Sequence, residues 1–193
     1  MTGPGRSLRR IASILPVSIQ IAKIVGMESQ PFTLREPTND DLDWVVRRHG
    51  EIYAEEYGWD SRFRELVEEI TTKFARDFNP VCERGWIAER HGERVGCVFL
   101  VAKSDSIAQL RLLLVEPSAR GLGLGRTLVN ECIEFAASCE YEKIQLWTND
   151  VLVSARKIYE AAGFRLIEEE YHDSWGAPLT SQTWELDLAA SPG

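Results

Sequence analysis

The chain has few residues that bind metal ions, and their arrangement does not suggest a metal centre. Its 193 residues include three histidines and four cysteines. The histidines are far apart in sequence, and the cysteines lack the paired spacing of zinc sites, so we expect no metal. These residues are His49, His91, His172, Cys82, Cys97, Cys132 and Cys139. The cysteines are interpreted as reduced thiols, which favours a cytoplasmic location.

Long apolar runs are also absent. No stretch reaches the roughly 20 consecutive apolar residues that a membrane-spanning helix needs, so no membrane association is expected. A Gly-x-Ser-x-Gly nucleophile elbow is missing too. The sequence nevertheless has 44% apolar residues and six tryptophans, enough for the core of one domain.

Acidic residues outnumber basic residues in this sequence. There are 22 Lys and Arg against 30 Asp and Glu, which gives a net charge of −8. Residues 1–27 carry four basic residues and no acid, leaving a net charge of −12 on residues 28–193. An acidic surface repels nucleic acid and attracts cations, so we expect no nucleic-acid partner, and an amine is favoured. The same charge would also serve solubility alone.

The N-terminal segment allows three interpretations. It is a disordered tail, a basic organelle-targeting segment, or the product of a mis-assigned start, with Met27 as the true first residue. We therefore divide the chain into a basic tail of residues 1–30, a folded domain of residues 31–189 and a tail of residues 190–193.

Hydrophobic periodicity predicts a mixed α/β sheet in three layers. A capping box at Thr38 and Asp41 predicts one helix start, Asp60 precedes a second helix, and His91-Gly92 predicts a turn between strands. The predicted strands are 32–35, 86–89, 95–102, 110–115, 143–148, 164–168 and 183–188. Two later helices begin near residues 124 and 152.

A glycine-rich loop, residues 120–126, follows an apolar strand and opens a helix. Glycine lets the backbone approach an anion closely, and a helix N-terminus offers unpaired N–H groups, so the loop predicts a phosphate site. Neither the P-loop pattern nor the Gly-x-Gly-x-x-Gly dinucleotide pattern fits it fully. The residues assigned to this site are Arg120, Gly121, Leu122, Gly123, Gly125, Arg126 and Thr127.

Two motifs together resemble the GCN5-related N-acetyltransferase (GNAT) superfamily. Arg120, Gly123 and Gly125 form an Arg-x-x-Gly-x-Gly pattern similar to its acyl-CoA pyrophosphate loop. Residues 155–164 resemble its later helix, which Gly-Phe closes. The resemblance covers residues 32–188 and implies the GNAT fold, a mixed central sheet with splayed parallel strands flanked by helices. It also implies acetyl-CoA as co-substrate and transfer of an acetyl group to a primary amine.

A narrower likeness is to acetyltransferase domains fused to MarR-type regulators. It rests on Arg48-His49-Gly50, on residues 56–60 and on Leu146-Trp147-Thr148-Asn149-Asp150. This narrower likeness implies no particular acceptor. Whether the chain forms a homodimer is left open. The N-terminal tail is too short for a winged helix, so DNA binding does not follow.

The superfamily resemblance assigns roles by position. Tyr159 corresponds to the general acid that protonates the departing CoA thiolate, with a pKa expected near the ordinary value of about 10. The backbone of Leu113, Leu114 and Val115 is expected to hold the pantetheine arm, and small Ala155 leaves room for it. Many relatives cap this helix with an Asn where this chain has Leu152. We expect Asn149 or Asp150 to cap it instead, and assign Asn149 to the cofactor site.

The acceptor is expected between the first two helices. Tyr53, Tyr57 and Trp59 cluster there with Glu56, which favours binding of a cationic amine, although the aromatic rings would equally serve to join the helices. No carboxylate lies within the central strand, so the general base is left open among Glu51, Glu55, Glu56, Asp60 and a water chain.

Two rival functions are distinguishable. A noncatalytic acyl-CoA sensor would bind the cofactor without releasing thiol. A nicotinamide oxidoreductase would need an acidic ribose ligand at a strand tip about 20 residues after the loop, but Glu140 there ends a helix.

Overall fold

The computed structural model describes residues 31–188, in which seven strands form one mixed sheet. The strands are β1 Thr33–Arg35, β2 Arg84–Arg90, β3 Glu93–Ala102, β4 Ile107–Val115, β5 Lys143–Asn149, β6 Arg165–His172 and β7 Leu179–Asp187. The helices are α1 Asn39–Tyr57, α2 Ser61–Asp77, α3 Leu124–Ser138 and α4 Val153–Ala161. Every predicted element is present, with ends shifted by a few residues. None of these helices is long and apolar enough to cross a membrane.

The strand order is β1-β2-β3-β4-β5-β7-β6, and β4 and β5 are its parallel pair. Side chains of β3 alternate between two apolar cores, one on each face of the sheet. Helix α3 and Tyr159 of α4 contribute to one core. Helices α1 and α2 contribute to the other. The three-layer mixed α/β prediction is therefore confirmed.

Polar side chains fix the starts of α1 and α2, as the sequence predicted. The Asp41 carboxylate accepts a hydrogen bond from the Thr38 backbone N–H at 2.7 Å, and the Asp60 carboxylate accepts one from the Arg62 backbone N–H at 3.0 Å. Asp41 is fully buried and also pairs with Arg35 and Arg94. The ion pairs of Asp41 therefore tie the start of α1 to β1 and β3.

The capping prediction for α4 is wrong. Leu152 is the N-cap residue, and its side chain makes no capping hydrogen bond. Asn149 instead ends β5, where its Oδ1 lies 2.8 Å from His172 Nε2. The Asp150 carboxylate accepts a hydrogen bond from the Thr180 backbone N–H at 3.2 Å. Neighbouring strands therefore occupy the side chains that were expected to cap the helix.

The two parallel strands diverge halfway along their length. Their pairing ends at Leu110 opposite Leu146, although β4 continues to Val115 and β5 to Asn149. A bulge in β4 accompanies the divergence, since Leu112 has a left-handed φ of 54° and the register with β3 shifts here. The splay implied by the superfamily resemblance is thus present, and it leaves backbone groups of β4 free toward the gap.

Candidate active site

The glycine loop has an open, concave front. Gly121 and Gly123 have φ values of 79° and 80°, and no heavy atom lies within 4 Å of the position a Cβ would take at either residue. Gly123 is the residue immediately before α3, whose first N–H groups are unpaired within the helix. The loop therefore offers backbone donors beside open space, an arrangement that suits a pyrophosphate.

The remaining loop residues differ in what they contact. A Cβ on Gly125 would lie 2.7 Å from Ile158 Cδ1, so this glycine allows α3 and α4 to approach closely. The Thr127 hydroxyl donates to the Gly123 carbonyl at 3.4 Å. Leu122 and Arg126 are exposed. Arg126 is thus accessible to a phosphate, whereas Gly125 packs against the Ile158 side chain of α4.

Arg120 links the loop to α1. Its guanidinium donates to Glu56 Oε1 at 2.7 Å, across 64 residues of sequence. Both side chains are partly exposed, at 48% and 28%. Glu56 was expected in the acceptor pocket, but the structure places it against the arginine that was assigned to the pyrophosphate.

A small cavity lies where β4 and β5 separate, and we call it the cleft cavity. Its volume is about 100 Å³, and it is bounded by β4, β5, α4 and the helix pair α1 and α2. Six residues assigned to the site from sequence line it: Tyr53, Trp59, Leu113, Asn149, Ala155 and Tyr159. The chain thus brings the predicted acid and much of the predicted acceptor pocket to one place.

Other assigned residues lie outside the cleft cavity. Leu114 is buried in the core shared with α1 and α2, and Val115 lies beside Gly125. The Tyr57 ring is partly exposed, and its centroid lies 5.8 Å from that of Trp59. These side chains support the site from behind, while the backbone of β4 remains available for the pantetheine arm.

Aromatic rings form one wall of the cleft cavity. The Trp59 ring centroid lies 4.9 Å from that of Tyr53 and 4.4 Å from that of Trp175. Trp175 belongs to the connection between β6 and β7, and its carbonyl accepts a hydrogen bond from the Asp60 backbone N–H at 3.2 Å. Trp147, 43% exposed, also lines the cavity. Trp175 is not itself a lining residue, so a segment far away in sequence supports this wall from behind.

Two buried polar atoms of this region have no hydrogen-bond partner in the described chain, His49 Nε2 and Trp59 Nε1. The Nδ1 atom of His49 lies 2.8 Å from the Val45 carbonyl, so Nδ1 carries the proton and Nε2 is a free acceptor. Burial lowers the pKa of His49 to about 4, which keeps the ring neutral at pH 7. Trp59 Nε1 is correspondingly a free donor.

Arg111 is the charged residue among those that line the cleft cavity. Its guanidinium donates to Gln109 Oε1 at 3.2 Å, so the two side chains share one face of β4. Burial lowers the pKa of Arg111. Sequence reasoning did not assign this residue, although an arginine inside the apolar run of residues 110–115 was a visible signal.

Tyr159 is almost fully buried, at 4% exposure, and burial raises the pKa of its phenol well above the ordinary value. The expectation of a near-ordinary pKa was therefore wrong. The cause is the apolar surrounding of α4, which disfavours the phenolate. The hydroxyl stays protonated throughout the physiological range.

None of the carboxylates considered as general base lines the cleft cavity. Glu51 pairs with Arg47 and Arg48, and Asp60 pairs with Arg62. Glu116 accepts two hydrogen bonds from Arg48, at 2.7 and 2.8 Å. Within residues 31–188, no group of three potential metal ligands lies close enough together to hold an ion.

A larger depression, of about 970 Å³, lies along the outer side of α1 and α2. It is polar, and none of the site residues assigned from sequence lines it. We therefore place the chemistry in the cleft cavity despite its smaller volume.

Comparison with known proteins identifies the family. The Acetyltransferase (GNAT) family matches residues 39–164. The chain therefore belongs to this family and is an N-acetyltransferase, and the noncatalytic alternative is not favoured.

Three individual proteins share between 16% and 35% sequence identity with this chain. An uncharacterised N-acetyltransferase of Schizosaccharomyces pombe is 30% identical over 136 residues, which span 69% of this chain and 80% of that protein. The N-acetylaspartate synthetase of Danio rerio is 35% identical over 85 residues, but these span 44% of this chain and only 30% of that protein. A suggested acetyltransferase of Salmonella typhimurium, solved with acetyl-CoA, has a TM-score of 0.67 at 16% identity, covering 84% of this chain and 97% of that one. The last comparison supports the fold alone.

Proposed function

We propose that this chain transfers the acetyl group of acetyl-CoA to a primary amine that enters the cleft cavity. The observation that carries the proposal is the divergence of β4 and β5 after Leu110 and Leu146, which opens onto Tyr159. When bound, acetyl-CoA supplies a thioester whose acetyl carbon takes the amine nitrogen as the carbon–sulfur bond breaks.

Three parts of the chain hold the cofactor in this proposal. The glycine loop and the N-terminus of α3 bind the pyrophosphate through backbone N–H groups, and exposed Arg126 adds charge. The unpaired backbone of β4 after Leu110 receives the pantetheine arm as a neighbouring strand would. The open space in front of Gly121 and Gly123 fits this assignment.

In this proposal the protein itself supplies one proton donor to the reaction. Tyr159 holds a proton beside the cavity and donates it to the departing sulfur, and the amine nitrogen loses one proton as its new bond forms. Burial makes the phenol a weaker acid than an ordinary thiol, whose pKa is about 8.5, so the transfer requires that the same apolar surrounding makes the departing thiolate more basic as well. The carboxylates Glu51 and Asp60 are paired with arginines, so we assign the departing amine proton to water rather than to either of them.

Calorimetric titration of the full chain with acetyl-CoA and CoA, followed by thiol release against an amine panel, tests the proposal. Acetyl-CoA binding with amine-dependent thiol release is expected. Binding without release for any amine would leave only the sensor function, and absence of binding would refute the site.

Two narrower assignments stay predictions. The likeness to domains fused to MarR-type regulators rests on segments such as residues 56–60. The acceptor, whether a small molecule or a protein amine, depends on the charges of the cleft cavity.

A further inference from the structure

The charge of the cleft cavity differs from what the sequence suggested. The carboxylates expected to attract a cationic amine lie elsewhere, since Glu56 pairs with Arg120 and Asp60 with Arg62. The charged lining residue is a cation, Arg111. A polyamine would therefore meet like charge in this cavity, and an anion would meet opposite charge.

Arg111 forms no salt bridge within residues 31–188, although Glu69 of α2 is near enough to act on its pKa. Its guanidinium makes one side-chain hydrogen bond there, to the neutral amide of Gln109. A partly buried guanidinium with five N–H donors has lost much of its hydration and gains strongly from a bidentate anion. Acetyl-CoA does not supply that anion here. Its acetyl and pantetheine groups are neutral, and its phosphates are assigned to the glycine loop, none of whose residues lines the cavity.

Two unpartnered atoms nearby do not contribute to this charge. Trp59 Nε1 and His49 Nε2 have no partner in the described chain, but both atoms are buried and do not face the open space of the cavity. Arg111 therefore gives the cavity its charge, and a positive charge complements a molecule with a carboxylate beside its amine.

We propose that the acceptor is a small amine that bears a carboxylate, an amino acid, and that Arg111 binds this carboxylate. The inference rests on the proposed function. The volume of about 100 Å³ limits the part of the acceptor that enters the cavity to a small group.

The test compares matched amines on the full chain with saturating acetyl-CoA. Thiol release is measured for the twenty common amino acids, for their α-amides, and for spermidine. The amide keeps the amine and removes the negative charge. Its amine is also less basic, so a preference for the acid does not arise from a larger neutral fraction. We expect kcat/KM for the best amino acid to exceed that of its amide by about 100-fold.

Variants of Arg111 test whether this residue causes the preference for the amino acid over its amide. Arg111→Gln should raise the KM of the amino acid about 100-fold, bring acid and amide close together, and leave the Kd of acetyl-CoA within twofold of the wild type. Arg111→Lys, which keeps the charge, should recover part of the preference. Arg165→Gln removes the same charge from the exposed strand β6 and should leave the preference intact.

Three outcomes would overturn the inference without touching the proposed function: turnover of spermidine or of the amides at rates equal to the acids, acetyl-CoA binding with no amino acid used, or an unchanged acid preference in Arg111→Gln. Loss of acetyl-CoA affinity in Arg111→Gln would also overturn it, because Arg111 would then serve the cofactor. Failure of the wild type to bind acetyl-CoA would instead refute the proposed function. The wild-type panel decides the acceptor even where a variant fails to fold.

Discussion

Replacement of Gly123 by alanine tests whether the glycine loop binds the cofactor. Gly123 has a φ of 80°, and no atom lies within 4 Å of the new Cβ, so the substitution adds backbone strain without a clash. A left-handed conformation costs an L-residue about 1 to 2 kcal/mol. For a chain of this size the strain should lower the Tm by roughly 2 to 8 °C.

A matched control separates strain from function. Gly92, in the turn between β2 and β3, has a φ of 81° and the same open space around its missing Cβ. Gly92→Ala should therefore lower the Tm by a similar amount. Only Gly123→Ala should also place a methyl group in the open space assigned to the pyrophosphate, which would displace a hydrogen bond to a charged group worth about 1.5 to 3 kcal/mol.

The assay is calorimetric titration of both variants with acetyl-CoA at one fixed ionic strength, since salt screens phosphate contacts. The Kd of Gly123→Ala should rise roughly 10- to 150-fold. The Kd of Gly92→Ala should match the wild type. Equal affinity in the two variants would show that the loop is only a tight strand-to-helix turn.

Three other substitutions probe the remaining site. Tyr159→Phe should lower kcat roughly 100-fold while acetyl-CoA affinity stays within twofold. Because burial raises the pKa of Tyr159, the wild-type rate should show no loss from its ionisation until above pH 10, and equal turnover in both proteins would remove it from the mechanism. His49 has a pKa lowered to about 4, against about 6.5 when unfolded, so its contribution to stability is present above pH 6.5 and is lost as the pH falls toward 4. Urea unfolding at pH 7 and 4.5 measures the free energy of unfolding. Between these pH values the free energy of unfolding of His49→Leu should fall by roughly 2 to 3 kcal/mol less than that of the wild type. Identical losses in the two proteins would contradict a buried neutral ring. Glu56→Gln should free Arg120 and tighten acetyl-CoA binding roughly two- to fivefold, as expected for a partly exposed ion pair. If Glu56→Gln instead raised the KM of the amine and left the Kd of acetyl-CoA unchanged, Glu56 would belong to the acceptor pocket.

Local signals predicted the scaffold well. The capping box at Thr38, the Asp60 cap and the His91-Gly92 turn depend on residues next to one another in sequence. These local features follow from backbone preferences and hydrophobic period, which a single sequence displays directly. The GNAT fold with its splayed parallel strands was instead predicted from the two motifs that resemble the superfamily.

Long-range partners explain what sequence reasoning missed. The link between Arg120 and Glu56 spans 64 residues, and Asn149 is held by His172 across two strands, so neither contact has a local signature. Leu112 adopts a left-handed φ at the bulge although leucine has no preference for it. The charge of the cavity therefore became evident only once the carboxylates were seen paired to arginines.

The contact between Trp59 and Trp175 has a consequence for engineering acceptor choice. The connection after α1 and the connection after β6 meet through these rings and through the hydrogen bond from Asp60 N–H to the Trp175 carbonyl. Grafting either connection alone from a relative would leave one tryptophan without its neighbour and one backbone donor or acceptor unmatched. Exchange of both segments together is the smallest transplant that keeps this wall intact.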